Sequence, residues 1–175
     1  MKSCKFLRIL ILIGVLFFSI SCLELRKEFG YDVPVPKIFR YVDKVVCIYP
    51  ASGFNPKVFE SLLQKPALKY FSPSFKSVLF AFDPEEAKNV KADFYIQISR
   101  IGIVHMPQMA YSTAYTNVNI EARCYDSNWK LIMIKKTSGE GNANVSHSPQ
   151  EEDEAAHKAM NNLAEIIANE LYNYK

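Results

Sequence analysis

The histidines, a run of acids and the cysteines are the side chains that could do chemistry, and their spacing restricts what that chemistry is. His105 follows a predicted strand beside Met106 and Pro107, His147 lies in a predicted loop, and His157 falls on the last predicted helix, off its apolar stripe. None has a histidine or cysteine at metal-ligand spacing. Glu151, Glu152, Asp153 and Glu154 are consecutive, so on a helix they point around the axis. They favour the positive end of a helix dipole, and no second cluster is present to complete a ligand set. G-x-S-x-G, P-loop, G-x-G-x-x-G and H-E-x-x-H patterns are all missing, and Gly139-Glu140-Gly141 is too short to cradle a phosphate. Asn144-Val145-Ser146 matches the glycosylation triplet, a pattern common by chance. We therefore expect no metal, no cofactor, no catalytic residue and no enzymic activity.

The cysteines divide by context. Cys22 ends the one strongly apolar stretch of the chain. Lys2, Lys5 and Arg8 precede it without an acid, Ile9–Ile20 is an unbroken run of apolar and small residues, and Ser19-Ile20-Ser21-Cys22 follows. This is the basic, apolar, small-residue order of a secretory signal. A cysteine at the cut site turns secretion into anchoring. As a helix, Ile9–Ile20 would extend about 18 Å, short of the roughly 30 Å hydrocarbon core, and charges flank it on both sides. The segment resembles a lipobox, with Ser21 a permitted residue before the cysteine and Ser19 in the place usually held by Leu. That resemblance implies cleavage before Cys22 and two or three acyl chains, palmitate among them, on Cys22. Leu23 is not the acidic residue that holds such proteins at the inner membrane, so the resemblance implies delivery to the outer membrane, facing the periplasm.

Cys4 is lost with the signal, which leaves Cys47 and Cys124, both in predicted strands. Outside the cytoplasm they can form one disulfide, or stand as two buried thiols acting as small hydrophobes. No C-x-x-C supports a redox role.

Charge excludes another class. The chain carries 21 Lys+Arg and 18 Asp+Glu, and the excess is the three bases of the signal. The remainder is formally neutral, and its adjacent basic pairs, Arg26-Lys27 and Lys135-Lys136, do not build the clustered face of a nucleic-acid binder. Hydrophobic residues at 49% and aromatic residues at 13% are enough to pack one domain.

The elements follow from pattern. Residues 1–21 read as signal and 22–41 as lipidated cysteine and flexible tether, long enough to hold a domain off the bilayer. Residues 42–175 read as one α+β domain. Val45–Tyr49 is a strand buried on both faces. Asn55-Pro56 opens a helix with Val58, Phe59, Leu62 and Leu63 as its stripe and Pro66 as its stop. Ser77–Phe82 is a strand, and Asp83-Pro84-Glu85-Glu86 caps a helix of two turns. Phe94, Ile96 and Ile98 alternate until Arg100, after which Ile101 and Ile103 take the opposite parity, the mark of a β-bulge that Gly102 would ease.

From Tyr111 to Asp126, Thr116, Val118, Ile120, Ala122 and Cys124 point one way. Trp129–Thr137 returns as the hairpin partner until Gly139 and Gly141 break the pattern. Ser148-Pro149-Gln150-Glu151 is a capping box for the closing helix, with Ala156, Met160, Leu163, Ile167, Leu171 and Tyr174 as its buried stripe. The result is a two-layer α+β domain: a βαβ start, a short helix, a three-strand antiparallel meander and a C-terminal helix packed on the sheet.

The most suggestive surface is the uncharged connection Met106–Tyr115. Its Met106, Met109, Tyr111 and Tyr115 are of types favoured at adaptable interfaces. The lipobox, the strand–helix–strand start, Ala92–Ile98, Cys124–Leu131 at a hairpin and the Ala-rich closing helix together resemble small bacterial envelope lipoproteins. That class includes the lipoprotein partner of the lipopolysaccharide-assembly pore, auxiliary lipoproteins of ABC transporters and lipoprotein activators of cell-wall synthases. The resemblance implies non-enzymic work as an accessory or docking subunit of an envelope machine. The alternative is a surface-displayed or free-standing binder of a small apolar or glycan ligand.

Overall fold

The computed structural model describes residues 40–107, 114–143 and 149–174, all within the unit Val33–Lys175. The signal, Cys22, most of the tether, Met109, Tyr111, His147 and the expected cap at Ser148 lie outside the described residues. Five strands form one sheet in the order β2-β1-β3-β4-β5. Strand β1 (Val42–Pro50) is fully buried from Val46 to Tyr49 and pairs in parallel with β2 (Phe75–Phe80) and with β3 (Phe94–Pro107). β3, β4 (Ala114–Asp126) and β5 (Leu131–Ala143) form the antiparallel meander. The architecture is the expected α+β one, with the long C-terminal helix packed on the sheet.

The first helix, α1, departs from expectation at Pro66. It runs through a short α turn (Pro56–Val58), a π-helical segment (Phe59–Gln64) and a further α segment (Lys65–Phe71). Pro66 does not end it, because the proline directly follows the π-helical segment, whose wider turn accommodates a residue with no N–H while the helical backbone continues through Lys65. The buried stripe is Phe59, Leu63, Ala67 and Phe71, while Val58 is exposed. The start of α2 (Pro84–Asn89) is as read: Asp83 Oδ1 accepts the N–H of Glu86 at 2.7 Å, and Glu86 Oε2 accepts the N–H of Phe82 at 2.7 Å.

The bulge in β3 is at Ser99. Ile98 pairs with Ala122 and Arg100 with Glu121, leaving Ser99 as the extra residue. Its hydroxyl donates to the backbone oxygen and a carboxylate oxygen of Glu121, both at 3.1 Å. The reset keeps Ile96, Ile98 and Ile101 on the side of β4 that carries Ile120, Ala122 and Cys124. This is the face that α1 and α3 (Pro149–Tyr172) cover, and Phe59, Leu63, Ile96, Met160 and Leu163 fill the space between.

Two further expectations change in β5 and α3. Trp129 does not begin the strand; it sits in the turn with φ 63°. Gly139 and Gly141 do not break the strand either. A Cβ on Gly139 would stand 2.1 Å from the Ala155 oxygen and 2.3 Å from the Ala159 nitrogen, and one on Gly141 would stand 2.1 Å from the Glu151 oxygen. The two glycines leave room for the backbone of α3 to lie directly on β5. Tyr174 lies beyond the end of α3 and is exposed, not part of its buried stripe.

Candidate functional site

The second face of the sheet is covered only in part. Near the start of β3, α2 and the β4–β5 turn enclose Cys47, Tyr49, Ala81, Ala87 and Tyr95. The indole of Trp129 stacks on Tyr95 at 4.2 Å and meets Tyr49 edge-on at 6.2 Å. Asp126 shapes this turn by accepting the backbone N–H groups of Asn128 and Lys130 on Oδ1. The left-handed backbone at Trp129 is costly for a bulky residue, and the stacking on Tyr95 offsets that cost.

Beyond the bulge, no helix or turn among the described residues covers this face. A depression of about 470 Å³ opens there across β3, β4 and β5, lined by Arg100, Gly102, Val104, Asn119, Glu121, Lys136 and Ser138. These positions are in register: Gly102 with Asn119, Asn119 with Ser138, Arg100 with Glu121, and Glu121 with Lys136. Lys136 Nζ stands 3.2 Å from Glu121 Oε2 and Arg123 stands 3.9 Å from Oε1. The hydrogen bonds from Lys136 and Ser99 hold the Glu121 carboxyl below its usual range. Arg100 pairs with no carboxylate among the described residues. Beside the depression, Asn117 Oδ1 is buried and accepts no hydrogen bond. A surface of this composition suits hydrogen bonding to a polar partner that brings acceptors toward Arg100.

The residues singled out in the sequence fare unevenly. Met106 and Tyr115 are register partners at the end of the meander, next to the depression along the same strands. Cys47 and Cys124 are free thiols, so the disulfide reading is corrected. Cys47 pairs with Tyr95 of β3 and Cys124 with the next residue, Ile96, which puts them on opposite faces with a strand between them. Burial pushes the Cys47 thiol up to about 11 and the Cys124 thiol up to about 12, so both stay protonated and unreactive near neutrality.

The first turn of α3 is not a solvated acidic face. Glu151 and Glu154 are buried. Glu151 Oε2 accepts the hydroxyl of buried Thr116 at 3.0 Å, whose oxygen in turn lies 2.9 Å from His105 Nδ1. His105 Nε2 is 3.4 Å from Glu152. His157 is also packed, 3.1 Å from the Tyr70 hydroxyl, and burial lowers its proton affinity. No spacing in the sequence announces these contacts, because each joins residues far apart in the chain. No group of three metal-ligating side chains converges among the described residues, and no helix there is long and apolar enough to cross a membrane.

No family model and no curated protein matches this chain. Among solved structures it is similar to a minor lipoprotein from Acinetobacter baumannii, at 9% identity over 74% of this chain and 91% of that one, with a TM-score of 0.44. It is also similar to lipoprotein GNA1162 from Neisseria meningitidis, at 16% identity over 74% of this chain and 98% of that one, with a TM-score of 0.35. Identities and overlaps of this size leave the chemistry of this chain to its own residues.

Proposed function

We propose that the chain is a bacterial envelope lipoprotein, anchored through acyl chains on Cys22, that serves as a non-enzymic docking subunit of an outer-membrane machine facing the periplasm. The observation that carries the docking role is the uncovered part of the meander face. There Arg100, Asn119, Lys136 and Ser138 stand around a depression, whereas α1 and α3 cover the opposite face and α2 and the Trp129 turn cover the start of this one. A polar, hydrogen-bonding surface of this kind favours a protein partner over a small apolar ligand. Met106 of β3 and Tyr115 of β4 are register partners at the end of these strands, on either side of the uncharged stretch of sequence that carries Met109 and Tyr111.

Two measurements test the two halves of this reading. Cys22→Ala should abolish incorporation of labelled palmitate and move the protein from the membrane to the soluble fraction. Two or more chains anchor stably where a single one binds only marginally. Failure of the wild type to incorporate palmitate, or membrane retention of the variant, would refute the anchor. For docking, Arg100→Glu with Ser138→Arg should abolish in vivo cross-linking to the partner, with the melting temperature unchanged. Charge reversal in a polar contact typically costs a few kcal/mol, roughly a hundredfold in affinity. Unaltered cross-links would remove this face from the proposal.

A further inference from the structure

Residues 1–39 join the described domain at Arg40, and the surface around that junction has a distinct composition. Tyr41 is 53% exposed, Tyr172 55% and Tyr174 41%. The guanidinium of Arg40 lies 4.8 Å over the Tyr172 ring, and Tyr174 meets Phe94 edge-on at 5.9 Å. Arg40 has no carboxylate partner among the described residues. Three exposed tyrosines and a guanidinium that pairs with no carboxylate among the described residues thus surround the point where the chain leaves for Cys22.

We propose that this end of the domain rests in the headgroup layer of the membrane, with the tyrosine rings at the interface and Arg40 on lipid phosphate. Tyrosine is favoured at that depth because its ring is apolar and its hydroxyl is not. Arginine matches phosphate with a planar pair of donors. A weak contact suffices, because the acyl chains keep the domain within reach of the bilayer and make the contact intramolecular in effect. The proposal rests on the lipid-anchor reading. It gives the tether a role other than spacing, since the domain is laid on the surface. Val46 of β1 pairs with Phe94 of β3, so Val42 lies below that level and Arg100 above it. About ten strand residues separate the two ends, roughly 30 Å, which directs the Arg100 depression away from the bilayer.

The test uses the full lipidated chain in vesicles of phosphatidylethanolamine and phosphatidylglycerol. The chain has one tryptophan, so Trp129→Phe with Tyr172→Trp places the sole indole at this end. We expect lipids brominated near the headgroup to quench its fluorescence, because an interfacial indole sits at headgroup depth. Adding Arg40→Glu and Tyr41→Ser should abolish the quenching while the chain still floats with the vesicles and melts at the same temperature. Flotation without quenching in the first variant overturns the headgroup contact and leaves the anchor standing. Failure to float overturns the anchor, and the contact with it.

Discussion

Gly139→Ala should destabilise the domain by about 3 kcal/mol, the upper range of overpacking, and lower its melting temperature by roughly 10 °C. The added Cβ would fall 2.1 Å from the Ala155 oxygen and 2.3 Å from the Ala159 nitrogen. Both are backbone atoms of α3 and cannot rotate aside. Relief requires lifting the helix from β5, and with it the buried Met160, Leu163 and Ile167. Gly102→Ala is the matching control. Its Cβ would meet only the Asn119 Cβ, at an ordinary 3.9 Å, and stability should change by no more than about 0.5 kcal/mol. Equal effects of the two substitutions in thermal or chemical unfolding would show that α3 does not sit on β5 as described.

Leu163→Ala should cost about 2–5 kcal/mol, because Leu163 is fully buried in the core between α3 and the sheet and its removal leaves a cavity. Glu152→Ala, on the same helix, removes only a partly exposed contact with His105 Nε2 at 3.4 Å. It should change stability by no more than about 0.5 kcal/mol. Denaturant midpoints at unchanged slope would separate the two. Similar losses would mean that the helix is rotated about its axis from the described orientation.

Most of the fold was legible because it depends on local periodicity. The alternation of Thr116, Val118, Ile120, Ala122 and Cys124 predicts the buried side of β4, and the parity change after Ile98 locates the bulge at Ser99 within a few residues. Asp83 and Glu86 announce the start of α2 because a cap is a contact between near neighbours. Pro66, Gly139 and Gly141 depart from the sequence pattern for a common reason. Each residue type breaks an isolated element, but here a π-helical turn admits the proline and a packed helix requires the glycines. The candidate site was less legible still. Arg100, Asn119, Lys136 and Ser138 come from three strands, and only the register assembles them. The buried pairing of Thr116 with Glu151 is hidden in the same way, 35 residues apart in the chain.

The bulge at Ser99 has a consequence for behaviour among many copies. The pairing of β1 with β3 ends at Pro50 and Ile98, and one more hydrogen bond, from Ala51 N–H to the Ile98 oxygen, closes it. From Arg100 to Pro107, β3 keeps β4 on one side and has no strand on the other among the described residues. Such a margin can recruit a strand from another molecule, and proteins held at one surface meet each other often. The extra residue at Ser99 twists the margin where it begins, and Pro107 offers no N–H where it ends. Deleting Ser99, the unpaired residue, would straighten this margin while leaving Ile101 opposite Ile120 and Ile103 opposite Val118. The bulge therefore acts as a guard against self-assembly as much as a correction of register.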